Sequence, residues 1–175
     1  MRSLKGTISH GLFYGGYSFV LEGYSNANWI SDTDETKDTS GFIYTLAGNV
    51  VAWNSTRQTC ISRSTMEAEF IALNLTREEA DWFRNLLVNI PLWNKSVPVI
   101  CIHYDSQVVI AKVKFKTYNR KPRHIHLRIK QLRKYEVIAI NLVKSEKNLA
   151  DPLTKSLSRR QVLEASSGMW VKPVN

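Results

Sequence analysis

The chain has 175 residues, 43% of them hydrophobic and 22% charged, enough for one domain with a sizeable core. Lys and Arg number 24 against 15 acids, and the net charge of +9 points to a polyanionic partner, nucleic acid before membrane. No apolar run reaches the length of a membrane span, and MRSLKGTISHGLFYGG lacks the apolar core of a secretory signal; the expectation is a soluble intracellular protein, cytoplasmic or nuclear, with no membrane partner.

Residues 1–16 read as a connection, with MRSLKGT the stub of a helix. FVLEGY (19–24) predicts a strand leading into Ser25-Asn26-Ala27-Asn28-Trp29, and SDTDETKDTS then breaks structure with turn formers and acids. GFIYTL (41–46), the turn Ala47-Gly48-Asn49 and VVAW (50–53) predict a hairpin, followed by a polar bend over Asn54 to Gln58. Cys60 and Cys101 sit in apolar stretches without metal-ligand spacing, which predicts two buried free thiols in a reducing compartment.

Ser64 to about Val88 predicts a long helix, free of Gly and Pro, with Ser64 as N-cap and Glu67 completing a capping box. At 100° per residue Glu69 falls in the apolar arc with Met66, Leu73, Ala80, Phe83 and Leu87, while Glu67 falls on the opposite, solvated side. An inward carboxylate needs cations or donors. Glu69 is therefore either a group for chemistry or the partner of a buried Lys or Arg, and its helix alone does not choose between them.

VPVICIHY (97–104) predicts a buried strand ending on Asp105, just before a short helix at Ser106 to Val113. Acids at that place serve active sites in α/β folds, and they also serve as ordinary helix caps. From Lys112 to Lys134 there are ten Lys or Arg residues and no acid, over a loop and then a helix. A solvated face is one reading; a phosphate-binding surface is the better one, because no acid balances the run. His124 and His126 stand apart from any metal-ligand cluster. VIAINLVK (137–144) predicts a last strand, and Asp151, followed by Pro152, opens a last helix.

The stretches GYSNANWISDTDETKDTSGFIYTLAGNVVAW, ISRSTMEAEFIAL, VICIHYDSQVVIA, RHIHLR, LADPLTK and LSRRQVLEASSGM resemble, in that order, the ribonuclease H domain ending the polyproteins of copia-type retrotransposons, particularly those of plants. The resemblance implies an α/β, ribonuclease H-like fold: a mixed five-stranded sheet, three strands antiparallel and the rest parallel, flanked by helices. It implies residues 1–16 as a remnant of the connection from reverse transcriptase, 17–175 as the domain, and a monomeric terminal fragment beginning at a chance or adopted Met1. It also implies a site in which Glu69, Asp105 and Asp151 hold two Mg²⁺ or Mn²⁺ ions for in-line hydrolysis of RNA in an RNA–DNA hybrid. Arg123, His124, Arg128, Lys130 and Lys134 are the expected contacts to the hybrid or to double-stranded RNA, and a reverse transcriptase is a possible partner. One position departs from the pattern: Asn26 stands where the family has its first catalytic Asp, so one neutral carbonyl replaces a bridging carboxylate. The loop VKSEKNLAD also lacks the histidine found there in cellular ribonucleases H. Activity is therefore expected to be weak or absent, the alternative being a non-catalytic nucleic-acid-binding module or an expressed relic.

Overall fold

The structure, a computed structural model, describes residues 10–12, 20–29, 38–91, 99–114, 138–168 and 171–173. Strands β2 (Leu21–Asn28), β3 (Thr39–Leu46) and β4 (Asn49–Arg57) form an antiparallel meander, and β5 (Ile100–Tyr104) and β6 (Ile138–Leu142) extend it in parallel, in the order β4-β3-β2-β5-β6. This is the mixed five-stranded sheet that the resemblance implies. A separate ribbon pairs β1 (His10–Leu12) with β7 (Val171–Pro173), so part of the expected connection meets the C-terminal tail.

Helix α1 (Thr65–Asn89) lies across one face of the sheet. Ser64 caps it as expected, its hydroxyl accepting the Glu67 N–H at 3.3 Å. The expected solvation of Glu67 is corrected: its carboxylate folds back to accept the Arg63 N–H at 3.0 Å, and the residue is buried. A capping role turns the side chain toward the helix start, which the angular position of its Cα does not report. Leu73, Ala80, Phe83 and Leu87 face the sheet as read from the sequence, joined by Phe70, Ala72 and Thr76.

Two apolar clusters anchor the helix. Phe70 and Leu73 pack with Ile102, Tyr104, Val109 and Ile110 near its start, and Ala80, Phe83 and Leu87 pack with Leu21, Phe42, Tyr44 and Ile100 further along. Val109 and Ile110 belong to α2 (Gln107–Lys114). The hairpin turn is as expected, with Ala47 and Gly48 both at positive φ. The polar bend expected at Asn54 to Gln58 is instead strand through Arg57: β4 is an edge strand, where polar residues meet solvent without losing the ladder. Neither thiol is buried as expected. Cys60 is exposed in the bend before α1 and Cys101 is half-buried; both are free. No described helix is long and apolar enough to cross a membrane.

Gly23 lies opposite Tyr44 in the β2–β3 ladder, and the Tyr44 ring occupies the space a side chain would need. The ring is fully buried and its hydroxyl donates to the Thr76 carbonyl at 2.7 Å, tying sheet to helix. A Cβ on Gly23 would stand 2.8 Å from that ring. Gly23→Ala is expected to cost about 1–3 kcal/mol by overpacking, read as a lower midpoint in urea denaturation. An unchanged midpoint would mean that the ring moves freely, against the packing described.

Candidate active site

The parallel pairing of β2 with β5 sets the site. Tyr24 lies beside His103, and continuing that register two residues brings Asn26 level with Asp105. Asp105 stands just past the end of β5, the usual place for active groups in α/β sheets, and Asn26 lies within the last residues of β2, still paired with Gly41 of β3. Glu69 arrives from α1. It lies in the inward arc, yet near the helix start it reaches the end of β5, where Ser106 Oγ donates to its Oε2 at 2.8 Å. Glu69 and Asp105 are near enough that the charge of one affects the other. Among the described residues no Lys or Arg pairs with Glu69, the second reading of this inward acid; its hydrogen bond comes from Ser106.

Asp151 reaches the same edge on a short 3₁₀ turn, Asp151–Leu153, with Pro152 early in it as expected. The helix expected to open at Asp151 begins later, as α3 (Arg159–Gly168). Ser158 and Gln161 form its capping box, Gln161 Oε1 accepting the Ser158 N–H at 2.9 Å and Ser158 Oγ accepting the Gln161 N–H at 3.4 Å. The turn packs straight onto the sheet. A Cβ on Gly41, the partner of Asn26 across β2–β3, would meet Leu153 Cβ and Thr154 Cγ2 at 3.0 Å. Asn148 Nδ2 donates to the Ser25 carbonyl at 2.9 Å, and Ser55 Oγ donates to the Leu153 carbonyl at 2.6 Å.

This close approach brings Asn26 against Asp151. Asn26 Nδ2 donates to Asp151 Oδ1 at 2.8 Å and to Thr154 Oγ1 at 3.0 Å, while its Oδ1 accepts the Ala27 N–H at 2.9 Å. Lys155 Nζ sits on both Asp151 oxygens, at 2.7 and 2.8 Å. Asn26 and Asp151 are thus hydrogen-bonded to each other, while Glu69 is bonded to Ser106, the residue after Asp105, which lies level with Asn26.

The donor set does not fit two divalent ions in this arrangement. Asn26 turns its nitrogen toward Asp151, its carbonyl is engaged by the backbone, and both Asp151 oxygens carry the Lys155 ammonium. Among the described residues no three His, Cys, Asp or Glu side chains group closely enough to hold a metal. An open cavity of about 390 Å³ beside the site takes only Asp105 from the candidate set, with Gln107, Leu142, Val143, Lys144, Ser145 and Glu146 forming the rest of its wall. Arg123, His124, Arg128, Lys130 and Lys134 lie outside the described residues.

Sequence reading missed Ser106, Gly41, Thr154 and Lys155. Lys155 carried a signal, its i,i+4 spacing from Asp151. The others matter through contacts across the fold, for which no spacing rule exists.

An antiparallel meander continued by two parallel strands and covered by a long helix, with Asp105 just past the end of β5, defines the ribonuclease H-like class of fold. LC11-RNase H1, solved in complex with an RNA/DNA hybrid, matches with a TM-score of 0.57 over 76% of this chain and 92% of its own, at 17% identity, a likeness of fold alone. The sequence carries the kinship further: the chain is a homologue of the retrovirus-related Pol polyproteins of plant transposons. It is 33% identical over 164 residues to that of transposon TNT 1-94 from Nicotiana tabacum, covering 92% of this chain. It is 31% identical over 179 residues to that of transposon RE1 from Arabidopsis thaliana, covering 99% of this chain. The chain spans 12% of the length of each. No family model matches it.

Burial raises the pKa of Glu69; the Ser106 hydrogen bond opposes this and the charge of Asp105 adds to it. A carboxyl that holds its proton more tightly when folded favours the fold at acid pH, and that contribution is lost as pH rises from the unfolded value through the folded one. Glu69→Gln keeps an acceptor for Ser106 and removes the charge. Its melting temperature is expected to exceed that of the wild type at pH 7 and to converge with it near pH 4, in thermal scans without divalent ions. A variant less stable than wild type at pH 7 would mean that the carboxylate is held by a cation.

Proposed function

We propose that this is a ribonuclease H-like domain that retains a nucleic-acid-binding role and has lost most or all of the ancestral cleavage of RNA in RNA–DNA hybrids. The observation that carries the reading is the Asn26 amide donating to Asp151, where the family pattern implies a carboxylate facing other carboxylates. An amide brings one negative charge fewer to the edge shared by Glu69, Asp105 and Asp151. Hydrolysis at phosphorus depends on charge stabilisation at the attacking and leaving oxygens, so a site short of one charge loses rate before it loses shape.

Support for binding comes from the +9 charge, from the acid-free basic run over 112–134, and from the hybrid bound by a ribonuclease H of the same fold. The basic side chains would act on phosphates and so position the duplex without reading its sequence. Residues 1–16 are proposed as the remnant of a connection to a reverse transcriptase.

Two experiments test the proposal. On a labelled hybrid with Mg²⁺ or Mn²⁺, Asn26→Asp is expected to cut the RNA strand at least about tenfold faster than wild type, a difference of about 1.4 kcal/mol in barrier. Adding Asp105→Asn should abolish the gain. Wild-type cleavage as fast as that of the revertant would overturn the loss-of-function reading. For binding, replacing Arg123, Arg128, Lys130 and Lys134 together with Gln is expected to weaken hybrid binding and flatten its salt dependence in fluorescence anisotropy. Hybrid binding absent at low salt, or unchanged in that variant, would remove the binding role.

A further inference from the structure

The Asn26–Asp151 contact does more than mark a lost charge. The amide is oriented by three contacts that agree with one another: carbonyl oxygen on the Ala27 N–H, nitrogen on Asp151 Oδ1 and on Thr154 Oγ1. Turning it over would set its oxygen against a carboxylate and its nitrogen against an N–H, so the donor belongs where it is. Asn26 is 7% exposed and Thr154 5%, so the amide's contacts are made largely out of water. They join residues 125 and 128 apart in sequence.

We infer that Asn26 is a latch that fastens the Asp151 turn to β2 without a divalent ion, replacing by a hydrogen-bond donor the cation that two carboxylates at these positions would need between them. The inference rests on the reading of this edge as a former metal site. An Asp at position 26 would point a charged oxygen at Asp151 Oδ1 across the 2.8 Å now spanned by a donor. The Thr154 hydroxyl already donates to the Asp151 carbonyl at 3.0 Å and could serve that oxygen only by giving up this bond, while ionised Asp151 can only accept. Relief by moving apart is limited, because the turn rests on Gly41 and is tied by Asn148 and Ser55. Lys155 assists from the outer side. Its side chain is 51% exposed, so water and salt share its work, and the buried amide carries the larger part.

The full chain is tested by thermal unfolding in EDTA and in millimolar Mg²⁺. Wild type is expected to melt at the same temperature in both. Asn26→Asp should melt several degrees lower in EDTA and recover most of the loss in Mg²⁺. Asn26→Ala should melt lower in both, because it removes the donor and adds no charge. The exchange variant Asn26→Asp with Asp151→Asn restores one donor and one acceptor, and it should melt above Asn26→Asp in EDTA. That comparison decides even when the single variant does not fold. Asn26→Asp as stable as wild type in EDTA, Mg²⁺ stabilising wild type as much as Asn26→Asp, or an exchange variant no better than the single one would each overturn the latch. The melts need no nucleic acid, so they separate the two readings. Mg²⁺-dependent stability without cleavage in Asn26→Asp leaves the latch and removes the catalytic proposal; cleavage without Mg²⁺-dependent stability does the reverse.

Discussion

The parallel register between β2 and β5 is the constraint on which the site depends. It sets Asn26 level with Asp105, and it holds because both strands are clamped on the same side by α1. Side chains alternate along a strand, so the residues that pin the register are neighbours of those that form the site. Gly23 and Ser25 face the helix, one yielding space to Tyr44 and the other accepting from Thr76 Oγ1 at 2.8 Å. Tyr24 and Asn26 therefore face the other way, Tyr24 stacked on His103 and Asn26 toward the 151–154 turn. A slip of one residue would put the polar set into the core and the apolar set at the edge, and so core packing protects the geometry of the site.

Glu69 belongs to the opposite side of the sheet and still reaches this edge. A helix laid across a sheet projects its first turns past the strand ends, and there an inward-facing side chain meets a loop instead of a strand. Ser106, just past β5, supplies the donor that makes a half-buried carboxylate tolerable. Glu69 from one flank and Asn26 from the other thus come to the edge that carries Asp105 and Ser106, from distant parts of the chain.

The parts of the fold legible in the sequence were those governed by periodicity. The long helix, its Ser64 cap, the hairpin and the buried strand before Asp105 all follow from patterns of 3.6 or 2 residues and from turn chemistry. The misread parts followed other rules. Glu67 was turned inward by capping, the end of β4 kept its ladder with polar residues because it is an edge, and Cys60 lay in a bend and not in a strand. At the site, residue identities and their convergence could be anticipated from a family resemblance. The direction of the Asn26 amide could not, because it depends on Gly41 admitting a turn and on Thr154 and Asp151 both presenting oxygens.

One atom separates an Asn from an Asp, and at this edge it reverses the sign of an interaction. Clustered carboxylates are a stored cost in a protein without bound cations, and such sites hold their shape because the surrounding packing opposes the repulsion. Nothing in that packing requires the charge itself. Once cleavage is no longer selected, the exchange of oxygen for nitrogen removes the repulsion and adds a donor, while the Gly41 contact, the Asn148 and Ser55 ties and the α1 clusters stay as they were. On the proposed reading, loss of activity and gain of stability follow from the same substitution, the trade-off expected where function was bought with strain. The basic run over residues 112–134 includes none of the exchanged positions. On the proposed reading the domain loses its chemistry and keeps its hold on a polyanion, because the two depend on charges of opposite sign at different positions in the sequence.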